Sequence, residues 1–468
     1  MVAHTAPGPR GLEALRVVSA LSRRPLAAMS ALMRGYGDAV QVPLAPRRAF
    51  YLLSHPEHAE HVLVAQQGNY GKAFTYRPLR AMLGTGLLTS DGERWQAHRR
   101  LIQPLFAQRH VVSFAPDMVA ATRRTLDRWD TLPEGAHIDV SAQISGLTLD
   151  VVGRALFGTD LRAEATRMAG ALAVLQRAAV AAAFHPLTMA SPRLIKPVLA
   201  AHRGYPASMR TLESTVGGII DRRRAASRVD GTAPRDLLDL LLQGGEGGAG
   251  LSDQEIRDEV ATFVLAGHET TANALIWTLV LLSAFPAARA RLEDEVDAVP
   301  SPSSVSSSPS PTLEGTGATA DDTDALPWTR AVISEAMRLY PPAWTIEREA
   351  LGDDEVGGIR LPAGSTVAVP PYLIHRNPAV WPNPEGFDPG RFLGQPPDGR
   401  HRYAFLPFGG GRRGCVGASF ALLEGTLVLA MLARRYRLDL LPGRRPVPEP
   451  NITLRPHGRL TMSLHRRA

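Results

Sequence analysis

One cysteine stands in this 468-residue sequence, within the segment Phe408-Gly409-Gly410-Gly411-Arg412-Arg413-Gly414-Cys415-Val416-Gly417. Glycine tolerates positive φ and lets a backbone approach a flat ligand where a Cβ would collide. Just after Cys415 an apolar run through Ala418, Phe420, Leu422, Leu423, Leu427, Leu429 and Leu432 reads as a buried helix. The sulfur then lies near free N–H groups and the positive end of a helix dipole, both of which favour a thiolate. Such a sulfur suits metal ligation. A phosphate loop would place a Lys-Ser/Thr pair at the helix start, which is absent here. A cysteine nucleophile would need a positioned histidine base, and neither the loop nor its flanks offers one. A glycine-rich turn around an inert buried cysteine stays open as the bland alternative.

A second cluster, Ala266-Gly267-His268-Glu269-Thr270-Thr271, sits inside the longest apolar stretch, 261–285. By length that stretch could span a membrane, yet a histidine and a carboxylate in its first half are costly in lipid and point to function. Ser252 and Glu255 form a capping box, Ile256, Val260, Phe263, Val264 and Gly267 recur on one face, and Pro286 ends the run. The pattern predicts a helix about 50 Å long, at 1.5 Å per residue, able to cross the middle of a protein. Mid-helix threonines bond the carbonyl four residues back and bend the helix slightly. A bend here opens a groove beside Ala266 and Gly267.

Two helical pairs complete the set. Glu335 and Arg338, three apart, share a face; alone, such a pair is usually a solvated salt bridge worth little. Trp95 and Arg99, one turn apart, offer an indole N–H and a guanidinium, both suited to carboxylates. The competing reading is an exposed basic helix with one tryptophan in the core.

The elements that must position these groups are mostly helical. Besides the long helix, a segment at 329–340 is halted by Pro341 and Pro342. Strand signals are short: 50–53, then 358–361 turning at Pro362-Ala363-Gly364 into 366–369, with weaker ones near the C-terminus. The expected class is mainly α with small β-sheets. Residues 300–325 are Ser/Pro/Gly/Thr-rich and then acidic, without periodicity, and read as a flexible surface loop. Because the motifs fall on both sides of it, one compact domain over 1–468 is expected.

Composition narrows the classes. With 44% hydrophobic and 21% charged residues the chain is an ordinary folded protein. The net charge of +7 is almost all arginine, the lysines being Lys72 and Lys196 alone, and no basic run is interleaved with aromatics as a nucleic-acid groove requires. A single cysteine forbids an intrachain disulfide and any Cys-rich zinc or iron–sulfur site. Arg16, Arg23, Arg24 and Arg34 interrupt the apolar residues near the N-terminus, so no signal segment is read there and a cytoplasmic protein is expected.

Taken together, the motifs resemble those of the cytochrome P450 family. The pattern F-x-x-G-x-R-x-C-x-G is met at Phe408, Gly411, Arg413, Cys415 and Gly417, and (A/G)-G-x-(D/E)-T-T at 266–271. E-x-x-R falls at Glu335 and Arg338, W-x-x-x-R at Trp95 and Arg99, and all appear in the family's order over nearly the whole chain. The resemblance implies haem b, held between the long oxygen-binding helix and the cysteine-loop helix, with Cys415 as axial iron ligand. It implies shielding of the sulfur by Phe408, a cofactor-binding place for Gly409, propionate contacts from Arg413, Trp95, Arg99, Arg348 and His375, and a structural triad of Glu335, Arg338 and Arg391. Ala266 and Gly267 would flank the oxygen groove, Thr270 would donate a hydrogen bond there, and Glu269 would connect it to solvent protons.

The implied reaction is monooxygenation of a lipophilic molecule of fatty acid, terpenoid or polyketide type, using dioxygen. No flavin or nicotinamide fingerprint accompanies the motifs, so a separate ferredoxin and ferredoxin reductase are the expected electron donors, with docking near Arg100 and Arg412. Substrate contacts inferred from the resemblance are Phe74, Leu83, Phe263, Ala343, Trp344 and Ile452, although each apolar residue by itself is more simply read as core. A peroxide-driven peroxygenase of the same fold and a non-catalytic haem sensor are the competing readings. The intact Glu269 and Thr270 favour dioxygen over peroxide.

Overall fold

The computed structural model describes residues 4–45, 48–226, 235–243, 251–299, 325–394 and 399–467. Of the stretch expected to form a surface loop, 300–324 lie outside the described residues. The remainder is largely helical with small sheets.

The long helix runs Asp253–Ala284. Its start is set by the expected capping box: Ser252 Oγ accepts the Glu255 N–H at 3.3 Å, and Glu255 Oε2 accepts the Ser252 N–H at 2.9 Å. Phe285 closes it, and Pro286 opens the next helix at an angle of 112°. No single described helix is long and apolar enough to cross a membrane. The long helix packs along Val140–Phe157, and a Cβ at Gly267 would come within 3.0 Å of Val152 Cγ2 there. Close helix approach is therefore eased by a glycine at that turn. Farther along, the indole of Trp277 stacks on Tyr340 at 3.9 Å and fastens the long helix to the end of Pro327–Leu339.

That shorter helix carries the fully buried Glu335 and Arg338. Arg338 donates through Nε and Nη2 to the two oxygens of Glu335 at 2.7 and 2.8 Å. Its other N–H groups reach the carbonyls of His375 (2.8 Å), Pro384 (2.6 Å) and Gly386 (2.8 Å). All five guanidinium donors are thus used. Glu335 Oε1 also accepts the Asp388 N–H at 2.9 Å and lies 3.4 Å from Arg391 Nε. One buried carboxylate and one buried guanidinium hold an irregular stretch, 375–391, that has little ladder pairing of its own.

The largest sheet has five strands in the order Ala39–Ala45, Arg48–Leu53, Thr366–Val369, Ile346–Ala350, Tyr70–Lys72. Its last pairing is antiparallel and sets Lys72 directly opposite Arg348. The strands read at 358–361 and 366–369 form, but they do not pair with each other. Ile359–Leu361 folds back on Asp354–Val356, while Thr366–Val369 enters the five-stranded sheet. The cause is local: Gly357 and Gly358 both have positive φ (57° and 79°), the requirement of a two-residue hairpin turn, so that hairpin closes before the Pro362 turn is reached.

Replacing Glu335 with glutamine leaves the Arg338 charge buried without its counter-ion. The expected cost is about 3–5 kcal/mol, read as a lowered denaturant midpoint with an unchanged slope.

Candidate active site

Between the long helix and the cysteine helix, Ala418–Arg435, lies a cavity of about 320 Å³. Its floor is the glycine loop. Gly409 and Gly411 have positive φ (71° and 64°), and a Cβ at Gly411 would lie 1.9 Å from the Leu63 carbonyl oxygen. Only these two of the four glycines need the left-handed region; Gly410 instead makes room for the Tyr403 ring, whose Cε1 a Cβ would approach to 2.6 Å. The turn closes when the Cys415 N–H donates to the Phe408 carbonyl at 2.8 Å.

Cys415 lines the cavity and is uncovered on that side, yet protein surrounds it on the others. Burial pushes its thiol up, against the opposing pull of the Gly417 N–H and the Arg99 charge. A sulfur desolvated in this way becomes an anion only when a cation sits on it, which is what a bound metal supplies.

Charge at the rim tells the same story from the other sign. Lys72, Arg99, Arg348 and Arg413 all line the cavity. Arg99 donates to Gln103 Oε1 and to the Gly414 carbonyl, both at 2.9 Å, and Arg413 pairs with Asp91 at 2.6 Å over the face of Trp95. Lys72 lies 4.4 Å from the centre of the Tyr76 ring. Its ammonium is held well below the usual lysine range, first by burial, then by the charges of Arg348 and Arg413, with Asp91 opposing. Like charges directly opposite on a ladder repel, and the sheet imposes that arrangement on Lys72 and Arg348. An anion bearing more than one carboxylate would relieve it. The donor set therefore fits haem: a thiol below, cations at one edge for two propionates, and apolar walls elsewhere.

The upper wall is the long helix, with Phe263, Ala266, Gly267, Thr270 and Thr271 lining the cavity. The helix stays unbroken through this turn. Thr270 Oγ1 donates to the Ala266 carbonyl at 2.8 Å and Thr271 Oγ1 to that of Gly267 at 3.4 Å. Space beside them comes from the lone methyl of Ala266 and the missing side chain of Gly267. Glu269 does not line the cavity. Its carboxylate accepts from Thr453 Oγ1 at 2.8 Å and from Gln176 Nε2 on the helix Ala165–Ala183. Asn273 Nδ2 supports Thr453 Oγ1 at 3.1 Å.

Several expected site residues do not line the cavity. His375 is buried away from the cavity, with Nε2 accepting the Leu406 N–H at 2.9 Å and its own carbonyl drawn to Arg338. Burial and the charges of Arg338 and Arg376 push its pKa down to about 3, so the ring is neutral, and its Nε2 is engaged by the loop. Of the six substrate contacts, Phe263 and Ala343 line the cavity. Leu83 and Ile452 belong to the main core and its margin, and Trp344 is turned aside by its indole N–H, which donates to the Asn451 carbonyl at 2.8 Å. Phe74 meets Phe184 edge-on at 6.3 Å. The lining residues that sequence reasoning passed over include Lys72, Tyr76, Leu87, Leu88 and Phe106, the last stacked on Phe263 at 5.5 Å. The signal for Lys72 was present: it is one of two lysines among 52 basic residues.

A family model described as Cytochrome P450 matches residues 7–462. Cyclooctatin synthase of Streptomyces melanosporofaciens is 36% identical, covering 96% of this chain and 93% of its own. Pentalenene oxygenase of Streptomyces avermitilis is 34% identical over 95% of this chain and 94% of its own. Among solved structures, a cytochrome P450DA heme domain superposes with a TM-score of 0.82 at 26% identity, covering 100% of this chain and 99% of that one.

Changing Lys72 to methionine or Arg413 to leucine removes one rim charge. Transfer of bound haem to an excess of acceptor apoprotein should then quicken by about ten-fold or more, while Cys415→Ala should abolish the thiolate signature of the reduced carbon monoxide complex.

Proposed function

Because the chain belongs to the cytochrome P450 family and is a haem-thiolate monooxygenase, we propose that it oxidises a terpenoid, with haem b as cofactor and a ferredoxin and its reductase as electron donors in the cytoplasm. The observation that carries the substrate class is the lining of the upper cavity. Leu87, Leu88, Leu156, Phe263, Ala266 and Ala343 are apolar, and the cations gather at the rim assigned to the propionates. A free fatty acid would call for a cation facing the substrate space. A hydrocarbon or a singly oxygenated ring system needs none. The names of the relatives support the same class: besides those above, Cyclooctat-9-en-7-ol 5-monooxygenase is 34% identical over 94% of this chain.

The mechanism assigns each residue a physical task. Haem, when bound, supplies dioxygen activation and insertion of one oxygen atom into a carbon–hydrogen bond. Cys415 is the iron ligand, and the loop that holds it leaves its sulfur open to the cavity alone. Arg99, Arg348, Arg413 and Lys72 would hold the two propionates, and the Trp95 ring, 4.4 Å from the Arg413 guanidinium, supports that cation. Thr270 places a hydroxyl on the cavity wall, where turning away from the Ala266 carbonyl frees its proton for the oxygen side. Glu269, half-buried on the adjoining turn, passes protons inward once Gln176 or Thr453 releases it. The apolar residues exclude bulk water and so confine proton supply to these groups.

Arg100 and Arg412 are exposed, the first beside Arg99 and the second in the cysteine loop. They form the basic surface offered to an acidic ferredoxin.

The test of the substrate class is a spectral titration with cyclic terpene hydrocarbons, their alcohols and fatty acids. Displacement of iron-bound water is expected from the first two, and a response to fatty acids alone would reject the proposal. In Thr270→Ala, haem content should persist while reducing equivalents are lost as hydrogen peroxide; unimpaired coupling removes Thr270 from the mechanism. Reversing charge at both Arg100 and Arg412 should slow reduction by ferredoxin, with the loss shrinking as salt is raised.

A further inference from the structure

His98 is a buried ionisable group that the reaction leaves unused. It lies on the helix Gly92–Ile102, between Trp95 and Arg99, the two residues of that helix that line the cavity. Its side chain is 2% exposed and that of Glu259 0%. His98 Nδ1 stands 2.5 Å from Glu259 Oε1, and Nε2 stands 3.6 Å from Glu255 Oε1. Both carboxylates come from the opening turns of the long helix, and Glu255 is also the residue of its capping box. Arg94, one turn before His98, reaches the same Glu255 oxygen at 3.9 Å.

This contact differs from packing in being directional. An apolar side chain wedged between two helices tolerates rotation of either about its axis, whereas an imidazole held between two fixed carboxylates does not. The hydrogen bond to Glu259 raises the affinity of His98 for its proton, which favours the doubly donating imidazolium. Glu259 Oε2 has no hydrogen-bond partner, so the carboxylate depends on His98 for its neutralisation. The next residue along, Arg99, donates to the carbonyl of Gly414, directly before Cys415. A chain of three contacts therefore runs from the start of the long helix, through the tryptophan helix, to the cysteine loop.

We propose that His98 is a positioning residue for haem: clamped by Glu255 and Glu259, it fixes the rotation of the tryptophan helix and thereby the aim of Trp95 and Arg99 at the propionates and the cysteine loop. The proposal rests on the haem-thiolate reading of the cavity. Its failure is distinguishable from the failure of that reading, since a wild-type protein that takes up no haem refutes the reading itself.

The experiment uses the holoenzyme and two readouts, the rate of haem transfer to an excess of acceptor apoprotein and the midpoint of chemical unfolding. His98→Leu strands the Glu259 charge and should lower both haem retention and stability. The decisive variant is His98→Leu with Glu259→Leu, in which no charge is orphaned. Its unfolding midpoint should return close to wild type, because an apolar replacement of a buried pair is often neutral or better. Haem transfer should stay faster than wild type by about ten-fold or more. His98→Gln, which keeps one donor toward Glu259, should fall between. Haem transfer in the double variant that recovers together with stability would reduce His98 to a packing residue and overturn the proposal, as would wild-type transfer in either single variant.

Discussion

Everything in this structure answers to one electrostatic requirement: a sulfur that burial would keep neutral has to carry charge inside a largely apolar cavity. Protein surrounds Cys415 on every side but one, and desolvation drives its thiol upward. The backbone contributes the Gly417 N–H and the Phe408–Cys415 turn, and Arg99 contributes a nearby charge. None of these replaces a cation in contact. The loop is built to present the sulfur to such a cation and to nothing else, which is why a Cβ at Gly411 would run into the Leu63 carbonyl.

The rim solves the complementary problem. Four cations face one cavity, and the sheet register forces two of them, Lys72 and Arg348, into a pairing that is unfavourable unless an anion joins it. The site is thus incomplete by design at both ends, anionic below and cationic at the edge, and one planar ligand with a metal and two carboxylates closes both deficits. Apolar surface makes up much of the remaining wall, and the long helix contributes the small residues Ala266 and Gly267 to it.

Holding such a site demands rigidity in segments with little ladder pairing. The Arg338 guanidinium spends all five donors on Glu335 and three loop carbonyls, converting the irregular 375–391 stretch into a fixed wall. Burying that pair is costly unless its polar groups are met, and here the Asp388 N–H also donates to Glu335 while the Arg391 charge stands 3.4 Å from it. His98 and Glu259 form a second buried ion pair, between the tryptophan helix and the long helix, with fewer partners.

The sequence by itself determined whatever depends on neighbours a few residues apart. The Ser252–Glu255 box, the i,i+3 pair Glu335–Arg338, the i,i+4 pair Trp95–Arg99 and the glycine loop around Cys415 are all fixed by helix period or by φ, so spacing alone carries them. The mainly helical class and the family followed from the same motifs. Tertiary structure decided everything that depends on which way a distant segment is rotated when it arrives. Lys72 reached the rim because a strand ladder pairs it with Arg348, some 276 positions along the chain by number. His375 turned inward because Arg338 and Leu406 claimed its carbonyl and ring, and Leu83, Trp344 and Ile452 went to packing rather than to the cavity. Glu269 was tied outside the cavity by Gln176 and Thr453, from segments far away in sequence. Apolar side chains look alike whether they face a ligand or a neighbour; only the register between remote elements tells the two apart.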